Sequence, residues 1–302
     1  MRAAIEIVSV SLGSSKRDSE VEVELAEHRF HIRRIGTDGD VKKALALIEE
    51  LDGKVDCFGL GGADRYLVAG NRRYEVVAMA KLARAAKHTP VVDGAGFKMT
   101  LEPYLLHRLA EQGQLDVRGK EVLLVSAVDR PGMARALPEL GARVTYGDLI
   151  FALGVPVPLY SLRSIAVLGF LVLPVLRRLP MSLVYPTGAK QESTTSKYNK
   201  YFYRSQVIAG DFHFIRRYLP PHMDGRMVIT NTITAEDLKL LRSVGVGRLI
   251  TTTPAFGERS FGTNVIEAAL VAVSGRAPED LSGQDYLHLL ERLGLSPRVM
   301  DL

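Results

Sequence analysis

Tryptophan is absent from the 302 residues and cysteine occurs once. A lone cysteine excludes a disulfide framework and any Cys-based zinc or iron–sulfur site, and it fits a reducing cytosol. Cys57 lies inside the apolar run Val55–Leu60 and reads as a small core residue rather than a nucleophile. The seven histidines contain no HxxxH pair and no HExxH, so the sequence supports no metal site. His28 and His31 sit three apart in β-type sequence and are expected on opposite faces. A Walker A loop is missing, which argues against a P-loop ATPase, and a GxSxG elbow is missing too. No apolar run approaches the ~20 residues that a transmembrane helix needs. The longest, Ile165–Leu176, contains Pro174 and is followed by Arg177 and Arg178. It reads as a buried or lid helix, and no membrane partner is expected. The opening MRAAIEIVSVSL lacks a signal peptide's apolar core and reads as a strand, so a cytoplasmic location is expected. Only four asparagines occur, and with scarce cysteine this points toward a thermophile.

Hydrophobic residues make up 47% and charged residues 24% of the chain, values of an ordinary globular protein. The net charge of +5 has two readings: mixed surface charge that keeps the protein soluble, or a preference for anions. The charges are spread along the chain rather than blocked, which favours the first and makes nucleic acid an unexpected partner.

The length suggests two domains. Residues 1–118 form a smaller N-terminal α/β substrate domain, with β-type segments at Ala4–Val10, Val21–Leu25 and Phe30–Ile35. Asp40 caps a helix over Val41–Leu51, Lys54–Leu60 is a buried strand, and a helix follows around Tyr74–Ala86. Thr89–Val92 is a short strand, and Thr100 is the expected N-cap of a helix over Leu101–Gln112. Residues 119–302 alternate more plainly and read as a Rossmann-like parallel sheet, with C-terminal helices able to return to the first domain. Glu121–Val125 is a continuous apolar strand of the kind buried inside parallel sheets. Thr234 caps the helix that begins at Ala235.

Ligands of such sheets bind beyond the carboxyl ends of the strands, so the informative residues follow each strand. Ser126-Ala-Val-Asp-Arg-Pro-Gly132 follows one strand and opens a helix, a context in which free amides face an anion. Ser126, Asp129, Arg130 and Gly132 are the candidate phosphate contacts. The GxGxxG fingerprint is missing. Asp148 ends the next strand, close to the ~20-residue spacing expected of an acid that grips a ribose. The bland alternative is a strand-ending turn with a capping aspartate. Asp211, Thr230 and Asn231 follow later strands and are candidates to line the second half of an NAD or NADP cofactor, or to cap helices. Asp93 and Lys98 flank a glycine-rich turn and could transfer a proton as an alcohol is oxidised; otherwise Lys98 is a solvated loop lysine. Lys190 and His213 are candidate substrate contacts. Basic and aromatic residues interleave over Lys197–Arg204, which fits a single-strand nucleic-acid surface, a closing lid, or the contact of a homodimer.

With Ser126–Gly132, Tyr146-Gly-Asp148, Tyr185-Pro-Thr-Gly188 with Lys190-Gln191, Gly210-Asp-Phe-His213, Thr230-Asn-Thr-Ile-Thr234 and Arg259-Ser-Phe-Gly-Thr-Asn264 on the page, the chain resembles a bacterial family labelled quinate 5-dehydrogenase. The resemblance implies an NAD(P)-dependent oxidoreductase acting on a small polar hydroxy acid such as quinate or shikimate. In the distantly similar shikimate and quinate dehydrogenases a Lys–Asp pair lies between substrate and nicotinamide. Phe97-Lys98 sits upstream of the Rossmann strand, roughly where their lysine would be. Their Asn-x-Thr-x-Pro approach and glycine-rich turn are absent here. Two other classes stay open: a transferase using a nucleotide or nucleotide-sugar, and a regulatory protein that binds nucleotide without turnover.

Overall fold

The computed structural model describes residues 4–70, 72–179, 197–253, 255–256 and 259–302. The chain is α/β, with two parallel-strand sheets joined by helices. The first sheet holds β1 (Ile5–Ser11), β2 (Ser19–Leu25), β3 (His28–Gly36), β4 (Cys57–Gly61) and β7 (Val91–Val92), in the order β2-β3-β1-β4-β7. Only β2 runs antiparallel, as the hairpin partner of β3. β2 sits at the sheet edge, and its strict alternation, SEVEVEL, matches one face in contact and one in water. Helix α1 (Val41–Leu51) starts where Asp40 accepts hydrogen bonds from the amides of Lys42 and Lys43, and it buries Ala44 and Ile48. Such a cap contributes ~1 kcal/mol.

A small hairpin, β5 (Tyr66–Ala69) with β6 (Arg72–Glu75), takes the first two residues of the helix expected around Tyr74–Ala86, and helix α2 spans Val77–Ala83. The predicted cap at Thr100 is also absent. A π-turn over Phe97–Leu101 runs without a break into α3 (Glu102–Glu111), and Lys98 donates its backbone N–H to the Gly94 carbonyl. Thr100 is therefore inside the helical run, and the polar groups that hold its start come from elsewhere in the fold.

The second sheet has the order β15-β12-β11-β10-β8-β9, all parallel except the last strand of the chain. Its strands are β8 (Glu121–Leu124), β9 (Arg143–Tyr146), β10 (Val207–Ala209), β11 (Met227–Thr230), β12 (Arg248–Thr251) and β15 (Arg298–Asp301); a separate small pair is β13 (Ala255–Phe256) and β14 (Arg259–Ser260). The connecting helices are α4 (Pro131–Glu139), α5 (Asp148–Phe151), α6 (Leu162–Leu176), α7 (Asn199–Arg204), α8 (Phe212–Tyr218) and α9 (Ala235–Ser243). Thr234 caps α9 through a reciprocal box with Asp237. Strand β8 reads EVLL because neighbours cover it on both faces, and its three apolar residues are fully buried.

Helices α10 (Thr263–Ser274) and α11 (Gly283–Arg292) pack on the first sheet rather than the second. Ile266, Leu270 and Leu290 share a core with Ile7, Phe30 and Ile32. The contact is close enough that a Cβ at Gly59 would come within 2.9 Å of the Asn264 carbonyl oxygen, so only glycine fits there. Asn264 also donates to Ser9 Oγ at 2.9 Å. Among the described residues, no helix is long and apolar enough to cross a membrane.

Candidate functional site

The loops at the carboxyl ends of the two sheets meet each other. Asp64 follows β4 and Asp93 follows β7; Asp129 follows β8, Asp211 follows β10, Asn231 follows β11 and Thr252 follows β12. Parallel sheets place ligands at these ends because the strand termini and helix N-termini leave polar backbone groups there.

The meeting point is a buried ionic network. Lys98 Nζ lies 2.6 and 2.7 Å from the two oxygens of Asp64 and 3.1 Å from Asp129 Oδ1. Arg130 donates to Asp129 at 3.1 Å, to Glu102 at 3.2 Å and to Asp211 at 2.6 Å. Thr252 donates to Glu102 at 2.8 Å, and Asn231 donates to Asp211 at 2.8 Å. Lys98 is 6% exposed, Arg130 1% and Glu102 not at all. Two cations thus face four carboxylates away from water, which favours protons on some of the acids. Burial pushes the Asp64 carboxyl well up, opposed by the Lys98 ammonium and assisted by the like charges of Asp129 and Asp93. Burial likewise raises Glu102 despite Arg130. Burial alone would raise Asp211, but Arg130, Lys98 and the backbone N–H of His213 hold it below the usual carboxylate range. Burial pulls against the Lys98 ammonium, yet Asp129 and Asp64 more than offset it and hold the lysine charged.

Asp93 is not the partner of Lys98. Its carboxylate accepts from the amides of Arg65 at 2.6 Å and Ala95 at 3.1 Å, so it closes the turn that carries the lysine. Asp64 takes the place expected of Asp93. The one sequence signal for it was position: a polar residue just after the glycines that end a buried strand.

The expected dinucleotide turn is also built differently. Asp148 is 5% exposed, and its carboxylate points into the turn after β8. It accepts from the amides of Ala127 at 3.0 Å and Val128 at 2.9 Å, with Ser126 Oγ 3.4 Å away. Burial raises this carboxyl against the pull of those amides. The N–H groups that would cradle a diphosphate already hold a carboxylate from the same chain. Each nitrogen of the Arg130 guanidinium already bonds an acid and the side chain is buried, so it presents no open fork to a phosphate. Gly132 does not open a ligand path; a Cβ there would overlap the Lys98 carbonyl oxygen and crowd Pro103, so the glycine lets α4 press against α3. The Ser126–Gly132 turn therefore does not fit a diphosphate as it stands, and Asp148 is not free to grip a ribose.

Thr230 is fully buried and donates to the Gly210 carbonyl at 2.8 Å, a strand-end contact rather than a cofactor lining. Asn231 and Asp211 belong to the ionic network. His213 Nε2 lies 2.8 Å from an Arg17 nitrogen, which joins the loop after β1 to α8 across the crevice. Burial lowers the His213 pKa, opposed by Asp211 and assisted by Arg17, so the ring is neutral and accepts from the guanidinium. Lys190 lies outside the described residues. In Lys197–Arg204, Tyr198, Tyr201 and Phe202 are buried, and Tyr198 and Phe202 pack edge-on against Phe151. Those rings are core, so they are not platforms for stacked bases.

Two cavities adjoin the network. One of about 230 Å³, counted with the space open to solvent, is lined by Asp64, Ala95, Lys98 and Asp129, with Tyr66 and Pro131. The other, about 620 Å³ on the same count, is walled mainly by apolar side chains of α6 with Leu67, Val128 and Phe214. The larger cavity is not the one that holds the charged pair; the ionisable groups able to do chemistry face the smaller. Asp129 and Val128 border both.

Residues 96–302 match a family described as Domain of unknown function (DUF8754), and residues 6–93 match Domain of unknown function (DUF8753). Among curated proteins none matches the chain. Solved structures similar to it include a substrate-binding protein of a sugar ABC transport system from Bordetella parapertussis 12822. That pair shares 13% identity at a TM-score of 0.41, over 99% of this chain and 90% of that one. L-tryptophan dehydrogenase from Nostoc punctiforme shares 10% identity at a TM-score of 0.39, over 96% and 80%. A putative malic enzyme (malate oxidoreductase) shares 12% identity at 0.37, over 97% and 85%.

Proposed function

The chain belongs to the family described as Domain of unknown function (DUF8754), and from that premise we propose, on its own residues, that the crevice is an acid–base site for a small molecule bearing a hydroxyl or carbonyl oxygen. One observation carries this reading: a buried lysine is clamped between two carboxylates and still lines a cavity. A buried charged triad of this kind is an expensive way to stabilise a fold, and perturbed titrations concentrate at functional sites.

The chemistry follows from the charge state. Lys98 is an ammonium, so it donates to a substrate oxygen and stabilises negative charge as it develops there. Burial, with like charge from Asp129 and Asp93, raises the Asp64 carboxyl, which makes it the group able to re-protonate Nζ. As Lys98 gives a proton to the substrate oxygen, Asp64 returns one to Nζ and becomes the carboxylate. The net transfer is one proton from Asp64 to substrate, and the reverse sequence removes it. Asp129 and the Arg130 cluster fix the lysine's position. Oxidation of a hydroxy acid with NAD or NADP would require this proton step, but a diphosphate at the Ser126–Gly132 turn would first have to displace Asp148.

The test is a thermal-shift screen of hydroxy acids, keto acids and sugars against wild type, Lys98→Met and Asp64→Asn. A compound that stabilises wild type and loses at least half of its shift in both variants is the expected outcome. Equal stabilisation of all three proteins would place the ligand elsewhere and sink the proposal.

A further inference from the structure

Helix α6 is apolar on nearly every side, which a helix resting on a single core does not need. One stripe, Ile165, Gly169 and Leu173, is buried, and Gly169 lies so close to Ala69 of the β5–β6 hairpin that a Cβ would overlap it. A second stripe, Leu168, Val172 and Leu176, lines the larger cavity, which is partly open to solvent. A third, Val167, Phe170, Leu171 and Val175, is 53–65% exposed. The cavity's few polar groups, Ser126, Asp129 and Asp148, stand together on the β8 and β9 loops, and Asp129 is the residue that reaches Lys98. An apolar chamber with its polar groups gathered at the loops of an acid–base site has the shape of an amphipathic ligand.

We infer that the cavity under α6 binds the acyl or prenyl chain of an amphipathic substrate whose oxygen-bearing head lies at Asp129 and Lys98. This rests on the acid–base reading above and narrows its substrate class. Apolar walls exclude a sugar or a small hydroxy acid from the chamber, because their hydroxyls would lose water without finding partners. A hydrocarbon chain loses nothing there and gains ~0.8 kcal/mol for each methylene buried. The exposed third stripe continues the apolar surface outward from the chamber, so a chain leaving a lipid phase meets hydrocarbon along its path.

The probe is cis-parinaric acid, whose fluorescence rises on entering an apolar cavity. Wild type is expected to bind it saturably, with displacement by palmitate. Val172→Trp and Leu168→Trp each fill the chamber and should weaken binding at least tenfold with unchanged circular dichroism. Val77→Ser, exposed on α2 outside the chamber's lining, should leave the affinity within twofold. Absence of saturable binding to wild type, undiminished binding by both folded tryptophan variants, or an equal loss in Val77→Ser overturns the inference. Lys98→Met separates the two claims. If the acid–base reading alone fails, parinaric acid still binds and the tryptophan variants still exclude it. If only the chamber is wrong, small oxygen-bearing ligands retain their dependence on Lys98 and Asp64.

Discussion

Glu267 offers a quantitative check on how α10 holds the helix that carries Lys98. The carboxyl is 4% exposed, and Oε1 accepts from the Gly96 amide at 3.1 Å and from Tyr286 Oη at 3.0 Å. Oε2 is buried without a hydrogen-bond partner. Burial, with Asp93 adding like charge, pushes this acid up to about 8 from an ordinary 4.5, despite the donors from Tyr286 and Gly96. The folded protein therefore keeps a proton that the unfolded chain releases. The stabilisation is complete below pH 4.5, declines as pH rises, and is lost above about 8. At ~1.4 kcal/mol per unit, the loss is roughly 3 kcal/mol by pH 7 and roughly 5 by pH 9. Glu267→Gln keeps the acceptor and cannot ionise. Its stability relative to wild type should rise from pH 5 to about 8.5 and then level, reaching roughly 5–10 °C in melting temperature at pH 9. Melting both proteins by circular dichroism from pH 5 to 9 measures the difference directly. A difference that stays flat across that range would mean Glu267 ionises normally in the fold, and the reasoning would be refuted.

Lys98→Met should lower stability by ~3–5 kcal/mol at pH 7, because Asp129 loses its buried counter-charge and Asp64 its hydrogen-bond donor; chemical denaturation measures it, and a loss under ~1 kcal/mol would show water already compensates those acids. Asp148→Ala leaves the Ala127 and Val128 amides without their acceptor and should cost roughly 2–4 kcal/mol, whereas millimolar NAD or NADP should leave the wild-type melting temperature unmoved; a clear cofactor-induced rise in wild type would contradict the self-filled turn. His213 has a lowered pKa, so below pH 6.5 the unfolded chain takes up a proton that the folded ring refuses, and stability falls as pH falls. His213→Gln should remove that part of the pH dependence, and parallel melting curves for the two proteins between pH 5 and 7 would count against a neutral ring.

Local rules were legible in the sequence. Asp40 and Thr234 cap the helices they precede because a cap acts on amides two or three residues away. The apolar run of β8 announced a doubly covered strand, and the alternation in β2 a half-covered one. The candidate residues at the strand ends were found for the same reason: alternating strands and helices oblige polar groups to gather there. Lys98, Asp129, Arg130, Asp211 and Asn231 do meet in one network.

Which of those groups touches which was beyond the sequence. Asp64 stands 34 residues before Lys98, and Glu102 meets Thr252 across 150. Nothing in local spacing chooses Asp64 over the nearer Asp93, because the choice depends on how the π-turn and the β4 loop pack. Asp148 makes the same point more sharply. Its interval after Ser126 suits an acid that grips a ribose, and the same interval suits one that turns inward to fill the cradle. The sequence determined the alternation, the caps and the polar strand ends, since each depends on neighbours a few residues apart. The tertiary structure alone decided the ion pairs, the filled turn and the apolar chamber under α6, since each depends on side-chain directions and distances set by both sheets at once.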